Sequence, residues 1–340
     1  MSELTRFTRT NSTMVGVDFV DNLLVRWGCD MDCGAHDSVP GRAASAQRFD
    51  HRHEISLMND LSHDPRNLSQ EAMWMRRKIL SMAYGAGSGH CGGSLSCVEI
   101  LLTLFFRVLR LRPHQPDWET RDRFLLSKGH AAPALYTVLA RAGYFPEATL
   151  NSLRAFGSIL QGHPDMRKVP GVEMTSGSLG MGISNGIGMA WSARHTGQTW
   201  RTFVLVGDGE LNEGQNWEAA MLAAKLELSN LIVIVDANGV QLDGPTDEVM
   251  PLGDLGAKFR AFGWATSTCD GHDFASLQTA FQKGISSERP SAILARTVKG
   301  KGISFMEGKA LWHGAPLTEP LYQTALGELS AEEGEVVGHE

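Results

Sequence analysis

Residues 204–244 constrain the fold more than any other part of the chain. The segment sits on a short apolar run, Phe203-Val204-Leu205-Val206, that stops at Gly207-Asp208-Gly209. Apolar residues in succession suit a strand buried on both faces, the setting of a parallel sheet. Residues 215–227 are rich in Ala, Leu, Glu and Lys and read as a helix. A second apolar run, Leu231-Ile232-Val233-Ile234-Val235, follows and ends in polar residues, Asp236 and Asn238. Strand, helix and strand in this order make a βαβ unit. The expected fold class is therefore α/β, a doubly wound and mostly parallel sheet flanked by helices. Such sheets bind ligands at the carboxyl ends of their strands, where Asp208 and Asn238 fall. Gly207 and Gly209 let the backbone turn tightly and approach a ligand closely.

A carboxylate and an amide oxygen at neighbouring strand ends, with a backbone carbonyl nearby, form a hard-oxygen site for Mg²⁺ or Ca²⁺. Mg²⁺ completes its octahedron with water and substrate phosphates. The residues thus point to a metal-bridged diphosphate at a sheet switch point. A lone Gly-Asp-Gly would merit only a capped βαβ turn; the second strand and its Asn carry the stronger reading.

At 340 residues the length allows one or two domains with a large core. The net charge of −7 offers no electrostatic case for nucleic acid or an anionic membrane. No run of eighteen apolar residues exists to span a bilayer, and the first thirty residues lack a secretory pattern. Five cysteines do not form a disulfide framework, so the expected compartment is a reducing cytoplasm.

Residues 1–56 mix Gly, Ser, Asp, Asn and Arg without periodicity. Cys29, Cys33 and His36 supply too few ligands for a zinc site. Residues 1–60 are expected to be a variable extension or an assembly arm, with Met58 as a later start in the alternative reading. From Leu68 a folded pattern begins, with Ser69 the expected helix cap. Ala72, Met75, Ile79, Met82 and Ala83 form its apolar stripe. The helix ends in a glycine-rich bend carrying His90, and a second helix is expected over residues 100–108. Phe124-Leu125-Leu126-Ser127 reads as a strand that delivers His130 to a strand-to-helix junction. His163 lies in a Gly-His-Pro turn. Residues 175–182 form a small-residue loop before a helix over residues 183–195, a setting in which N–H groups face an anion. A helix over 252–262, a strand over 264–267, a helix over 274–285 and a strand over 291–298 complete the pattern. His313 follows in Trp312-His313-Gly314, and Leu321, Ala325 and Leu329 mark a short final helix before a frayed end.

Gly-Asp-Gly followed after about thirty residues by Asn resembles the thiamine diphosphate motif. The fuller string Gly207-Asp208-Gly209-Glu210-Leu211-Asn212-Glu213-Gly214, then Asn216-Trp217-Glu218-Ala219-Ala220, resembles transketolase. So do Gly89-His90, Lys128-Gly129-His130 with Leu135-Tyr136, Gly162-His163-Pro164, and the Lys299-Gly300 loop leading to His313. The chain departs from the family at Cys91, where Pro is common, and at Gly239, where a second Asn is common. The resemblance implies that Asp208, Asn238 and the Val240 carbonyl bind the metal, with Asn238 also on the cofactor. It places Gly209, Glu210 and Glu213 in the cofactor-binding region. Gly180, Met181 and His130 lie by the diphosphate and aminopyrimidine. It makes His90, His163 and His313 catalytic, stabilising oxyanions, moving protons or holding the donor. Four histidines in such strings exceed what a solvated surface needs. Glu218 is expected at a subunit interface, in a carboxylate network between two active sites.

The resemblance covers residues 68–316, the diphosphate-binding domain, and leaves 317–340 as a tail. It covers only the first half of an ordinary transketolase. Only 42 residues follow Val298, too few for a pyrimidine-binding domain. The expectation is a split enzyme, in which a separate C-terminal transketolase subunit supplies the pyrimidine-binding and C-terminal domains in an α₂β₂ assembly. Its substrates would be a ketose donor and an aldose acceptor, as sugars or sugar phosphates, with no nucleic acid and no membrane as partners. Two alternatives are another thiamine diphosphate enzyme, acting on a sulfosugar or of the deoxyxylulose-phosphate type, and a non-catalytic regulatory paralogue.

Overall fold

The structure, a computed structural model, describes residues 66–337, with side chains to residue 331. Five strands form one sheet: β1 Arg123–Leu126, β2 Thr202–Gly207, β3 Leu231–Ala237, β4 Ala265–Asp270 and β5 Ser291–Arg296. Their order is β1-β2-β3-β5-β4 and every pairing is parallel. The apolar runs alternate between two cores, as a period of two requires. Phe203, Leu205, Ile232 and Ile234 face one core; Val204, Val206, Val233 and Val235 face the other. Each such side chain contributes on the order of 1.5–3 kcal/mol when fully buried.

The first core is covered by α1 (Leu68–Gly85), α2 (Cys91–Leu95), α3 (Val98–Thr103), α4 (Ala132–Ala142) and α9 (Phe274–Ile285). The second is covered by α5 (Gly182–His195), α6 (Gln215–Lys225) and α8 (Leu255–Ala261), while the short α7 (Thr246–Val249) lies in the loop after β3. The sheet is doubly wound. The chain runs from the edge strand β1 inward to the central β3, jumps to the opposite edge at β4 and doubles back to β5, so direction reverses beside the β3–β5 boundary. That reversal is the switch point at which open sheets accept ligands.

Some local expectations are corrected. The cap of α1 is Asn67, not Ser69. Asn67 has extended backbone angles, and its side chain accepts from the N–H groups of Ser69 (3.0 Å) and Gln70 (3.4 Å). The helix starts earlier because Leu68 is buried against the first core. The helix expected over 100–108 is α3 followed by a π turn, Leu104–Val108; the wider turn accompanies burial of the consecutive Phe105 and Phe106. The strand expected over 264–267 is β4, Ala265–Asp270. Trp264 lies just outside it, with its indole N–H on the Ala220 carbonyl at 2.9 Å.

The final helix, α10, runs over Glu319–Val337 and is longer than expected. It packs on α1, with Ala325 and Leu329 buried and Tyr322 stacked on Tyr84 at 4.5 Å. Among the described residues no helix is long and apolar enough to cross a membrane. The extension with its Cys29–His36 string, and Met58, lie outside the described residues.

Candidate active site

The carboxyl ends of β1, β2, β3 and β5 bring together residues far apart in the chain. Gly207 is in register with Asp236, so Asp208 emerges beside the end of β3, its N–H on the Asp236 carbonyl at 3.2 Å. The Asp208 side chain accepts from Gly209 N–H at 2.7 Å and Gly239 N–H at 2.6 Å. Gly239 presents that N–H from a left-handed conformation, φ +74°, which a glycine adopts without steric cost. Glycine in place of the family's second Asn is therefore compatible with holding Asp208.

Asp236 proves to be the anchor of this edge. Its carboxylate is fully buried and accepts from the Lys128 ammonium, the Ser96 hydroxyl (2.6 Å), the Thr297 hydroxyl and the Asn238 amide nitrogen (3.2 Å). The Asn238 nitrogen is thus committed inward. Its oxygen faces the turn, where it accepts from Val240 N–H at 3.1 Å. Burial opposes the charge on Asp236, yet Lys128 and the hydroxyls hold its carboxyl below the usual range. Burial opposes the charge on Lys128 as well, but Asp236, with Cys97 and Asp208 adding to it, raises its pKa and keeps it charged. Sequence reading placed Asp236 at a polar strand end and gave Lys128 no role. Their pairing joins two strand ends 108 residues apart.

The four histidines converge. His90 precedes α2, His130 lies in a tight turn after β1, His163 lies in its Gly-Pro loop, and His313 ends the turn Ala310–His313. Ring centroids are 5.7 Å apart for His90–His130, 6.0 Å for His90–His163, 5.5 Å for His90–His313 and 4.7 Å for His130–His313. A Cβ at Gly93 would lie 3.2 Å from His130 Nε2, so glycine leaves room for the ring. Burial, reinforced by Arg154, His163 and Lys299, holds His90 down to about 4. Burial, Lys299 and His90 do the same for His313, also to about 4. His130 is pushed well below its ordinary value by burial and Lys128, and His163 is lowered by burial and Arg154. Near neutral pH all four rings are uncharged and able to accept a proton or donate a hydrogen bond.

Lys299, noticed in the sequence only as part of a loop, is buried here. Its ammonium donates to the carbonyls of Val240 (3.1 Å) and Gln241 (3.4 Å) and lies 3.2 Å from His313 Nδ1. Burial and the nearby Lys128 lower its pKa to about 8.

Glu210 turns inward instead of towards an open ligand face. Its buried carboxylate accepts from the Ser127 hydroxyl, Gly180 N–H (2.9 Å) and Gly207 N–H (3.0 Å). It thereby pins the Gly180 loop to β1 and β2. Gly180 has φ +85°, and a Cβ there would come 2.8 Å from Glu213 Cβ. Gly209 packs as closely on Gln241, where its Cβ would lie 2.7 Å from the Gln241 Cβ. Met181, Glu213 and Glu218 are exposed. The carboxylates of Glu213 and Glu218 make no hydrogen bond or ion pair among the described residues.

The donor set suits a metal with a diphosphate. Asp208, Asn238 and the Val240 carbonyl offer only hard oxygens. Among the described residues no group of three or more His, Cys, Asp or Glu forms a self-sufficient metal cage. A cation held here needs oxygens from outside the chain, which is how Mg²⁺ binds with phosphates. The buried Nδ1 of His90 and Nε2 of Gln241 have no hydrogen-bond partner among the described residues, as expected where a polar ligand belongs.

A doubly wound parallel sheet with an oxygen site and a ring of neutral histidines at its switch point is the architecture of a cofactor-dependent transferase domain. The chain belongs to the transketolase family: residues 70–330 match the transketolase, thiamine diphosphate binding domain. It is 43% identical to the 6-deoxy-6-sulfo-D-fructose transketolase subunit SqwG of Clostridium sp. (strain MSTE9), over 80% of this chain and 99% of that one. It is 40% identical to an apulose-4-phosphate transketolase subunit of Phocaeicola vulgatus, over 75% of this chain and 91% of the relative. Human transketolase is 38% identical, and the match spans only 42% of its length. Among solved structures, transketolase from Leishmania mexicana superposes with a TM-score of 0.75 at 31% identity, over 78% of this chain and 41% of that one. The chain is thus a transketolase-type transferase component with a thiamine diphosphate-binding domain.

Proposed function

We propose that this chain is the N-terminal subunit of a split transketolase that moves a two-carbon ketol unit from an anionic ketose to an aldose. The observation that carries the reading is the convergence of four neutral histidines beside the Asp208–Asn238 oxygen site. Asp208, Asn238 and the Val240 carbonyl would hold Mg²⁺. His130 and the Gly180-Met181 loop would lie along the cofactor, near Gly209 and Glu213. When bound, thiamine diphosphate supplies the carbon nucleophile and the electron sink.

His90 and His313 flank the reacting centre in this reading. One uncharged imidazole there would take the proton of the donor's C3 hydroxyl as the C2–C3 bond breaks, and its neighbour would donate a hydrogen bond to the donor's carbonyl oxygen in the separate step in which charge builds there. His163 orients the donor's carbonyl or first hydroxyl. Glu218 faces a subunit interface.

A separate C-terminal subunit completes the enzyme, with α₂β₂ the expected assembly. Relatives that the match spans over 99% and 91% of their length, and that are named as subunits, support this. The names of those relatives specify a sulfosugar and a sugar phosphate. Both substrates carry an anionic group, which supports an anionic ketose as donor here. Cys91, Cys97 and Cys269 are buried and unpaired, in keeping with work in a reducing cytoplasm.

The test is a ketol-transfer assay with thiamine diphosphate and Mg²⁺, on this chain alone and with the second subunit. Sulfosugar and sugar-phosphate ketoses serve as donors. Activity only in the mixture supports the proposal; activity of the chain alone overturns the split arrangement.

Asp208 gives a sharper check on the metal assignment. Asp208→Ala is expected to abolish metal-dependent cofactor binding by the assembled enzyme, and retained tight binding would remove Asp208 from the metal. Burial, with Asp236 nearby, pushes Asp208 up to about 6 in the metal-free protein. A metal must displace that proton, so Mg²⁺ affinity should fall about tenfold for each pH unit below about 6. Calorimetric titration between pH 5 and 8 reads this directly, and an affinity flat across that range would contradict it.

A further inference from the structure

Lys299 reaches the site from a loop whose shape is set elsewhere. Gly300 and Gly302 both have left-handed backbone, φ +80° and +88°. A Cβ at Gly300 would lie 2.6 Å from the Met306 carbonyl oxygen, and one at Gly302 would lie 2.9 Å from Arg76 Nε. On each side of Lys299 a backbone group is held from outside the loop. Val298 N–H donates to His272 Nε2 at 2.9 Å, and the Lys301 carbonyl accepts from Arg76 Nε at 3.2 Å. Both outside residues meet at one carboxylate. Arg76 binds Glu99 Oε1 at 2.6 Å, and His272 Nδ1 binds Glu99 Oε2 at 2.9 Å. Because His272 Nε2 accepts from Val298, the ring proton is assigned to Nδ1 and is donated to Glu99. Arg76 and Glu99 are buried, and the three side chains come from α1, α3 and the turn after β4.

We propose that Glu99, acting through Arg76 and His272, is a positioning residue that sets how the Lys299 ammonium reaches the site and so how tightly the anionic diphosphate of thiamine diphosphate is held. A carboxylate is required because Glu99 accepts on both oxygens. In Glu99→Gln one end becomes an NH₂ that faces either Arg76 or the His272 Nδ1–H, donor against donor. The ring can relieve this by moving its proton to Nε2, but it then surrenders Val298 N–H. Either way one anchor beside Lys299 is lost. By analogy with the outer partners of metal ligands, whose loss costs about 10–100-fold, a loss of that order is expected for the diphosphate here.

The proposal rests on the reading of the histidine site as the cofactor site, and the experiment separates the two. Thiamine diphosphate affinity at saturating Mg²⁺ is measured by calorimetry on the full chain with its partner subunit. Failure of the unaltered complex to bind overturns the site reading, and the proposal with it. If the unaltered complex binds, Glu99→Gln is expected to weaken binding about 10–100-fold. His272→Phe, which keeps the Arg76–Glu99 pair, should weaken it in the same direction and serves where Glu99→Gln does not fold. Adding Lys299→Met to Glu99→Gln should cost less than the sum of the single losses, because both act through one ammonium. Unchanged affinity in a folded variant, or strictly additive losses, would overturn the proposal.

Discussion

Asp236→Ala is expected to destabilise the chain by about 3–5 kcal/mol, the cost of leaving a buried charge without its partner. Lys128 has a side chain only 1% exposed. After the substitution its ammonium keeps the Gly93 carbonyl at 2.9 Å but loses its counter-charge. The Ser96 and Thr297 hydroxyls and the Asn238 amide lose their shared acceptor as well. For a chain of this size the loss corresponds to a fall in Tm of roughly 4–9 °C, measured by thermal unfolding of the metal-free protein. Replacing both partners, as Lys128→Met with Asp236→Leu, should cost less than Asp236→Ala alone, because no buried charge then remains unpaired. A single substitution milder than the double would show that the pair does not hold this edge. Asp236→Ala should also loosen Asn238, whose amide nitrogen donates only to Asp236 among the described residues, leaving Val240 N–H on its oxygen as the remaining hold.

The second large effect falls on turnover. His90→Ala is expected to lower kcat by roughly 10²–10⁴-fold, the range for removing a positioned acid–base group. Thiamine diphosphate affinity should change far less, because the diphosphate contacts are assigned to other residues. The two are separated by steady-state kinetics at saturating cofactor and by equilibrium binding. A rate equal to that of the unaltered enzyme would remove His90 from the chemistry. The pH profile adds a sign. With His90 and His313 both near 4, neither gains a proton until well below pH 5. A loss of activity setting in near pH 6 is instead assigned to Asp208, which is raised to about 6. Excess Mg²⁺ should move that limb to lower pH by holding Asp208 ionised, whereas a limb set by histidine would stay in place.

The βαβ unit was legible because central parallel strands are buried on both faces. Such strands leave continuous apolar runs, Phe203-Val204-Leu205-Val206 and Leu231-Ile232-Val233-Ile234-Val235, that no surface requirement interrupts. The edge strand Ala265–Asp270 was blurred for the converse reason: Thr266, Ser267 and Thr268 are only partly buried or exposed, so no apolar run marks its length. The cap at Asn67 was missed because Ser69 is also a good capping residue. Burial of Leu68, a tertiary fact, selected between them.

The sequence by itself determined the sheet class, the strand ends that carry Asp208 and Asn238, and the four glycine-flanked histidines. These depend on local chemistry: runs of apolar residues, glycines at turns, and polar residues where a strand stops. Only the tertiary structure decided which way side chains face at those ends. It turned Glu210 inward onto Ser127, Gly180 and Gly207, paired Lys128 with Asp236, brought Lys299 to the Val240 carbonyl, and gathered His90, His130, His163 and His313. The orientation of a buried polar group follows from the partners available within hydrogen-bond reach, and here those partners come from other strands. The spacing along any one segment carries no record of them.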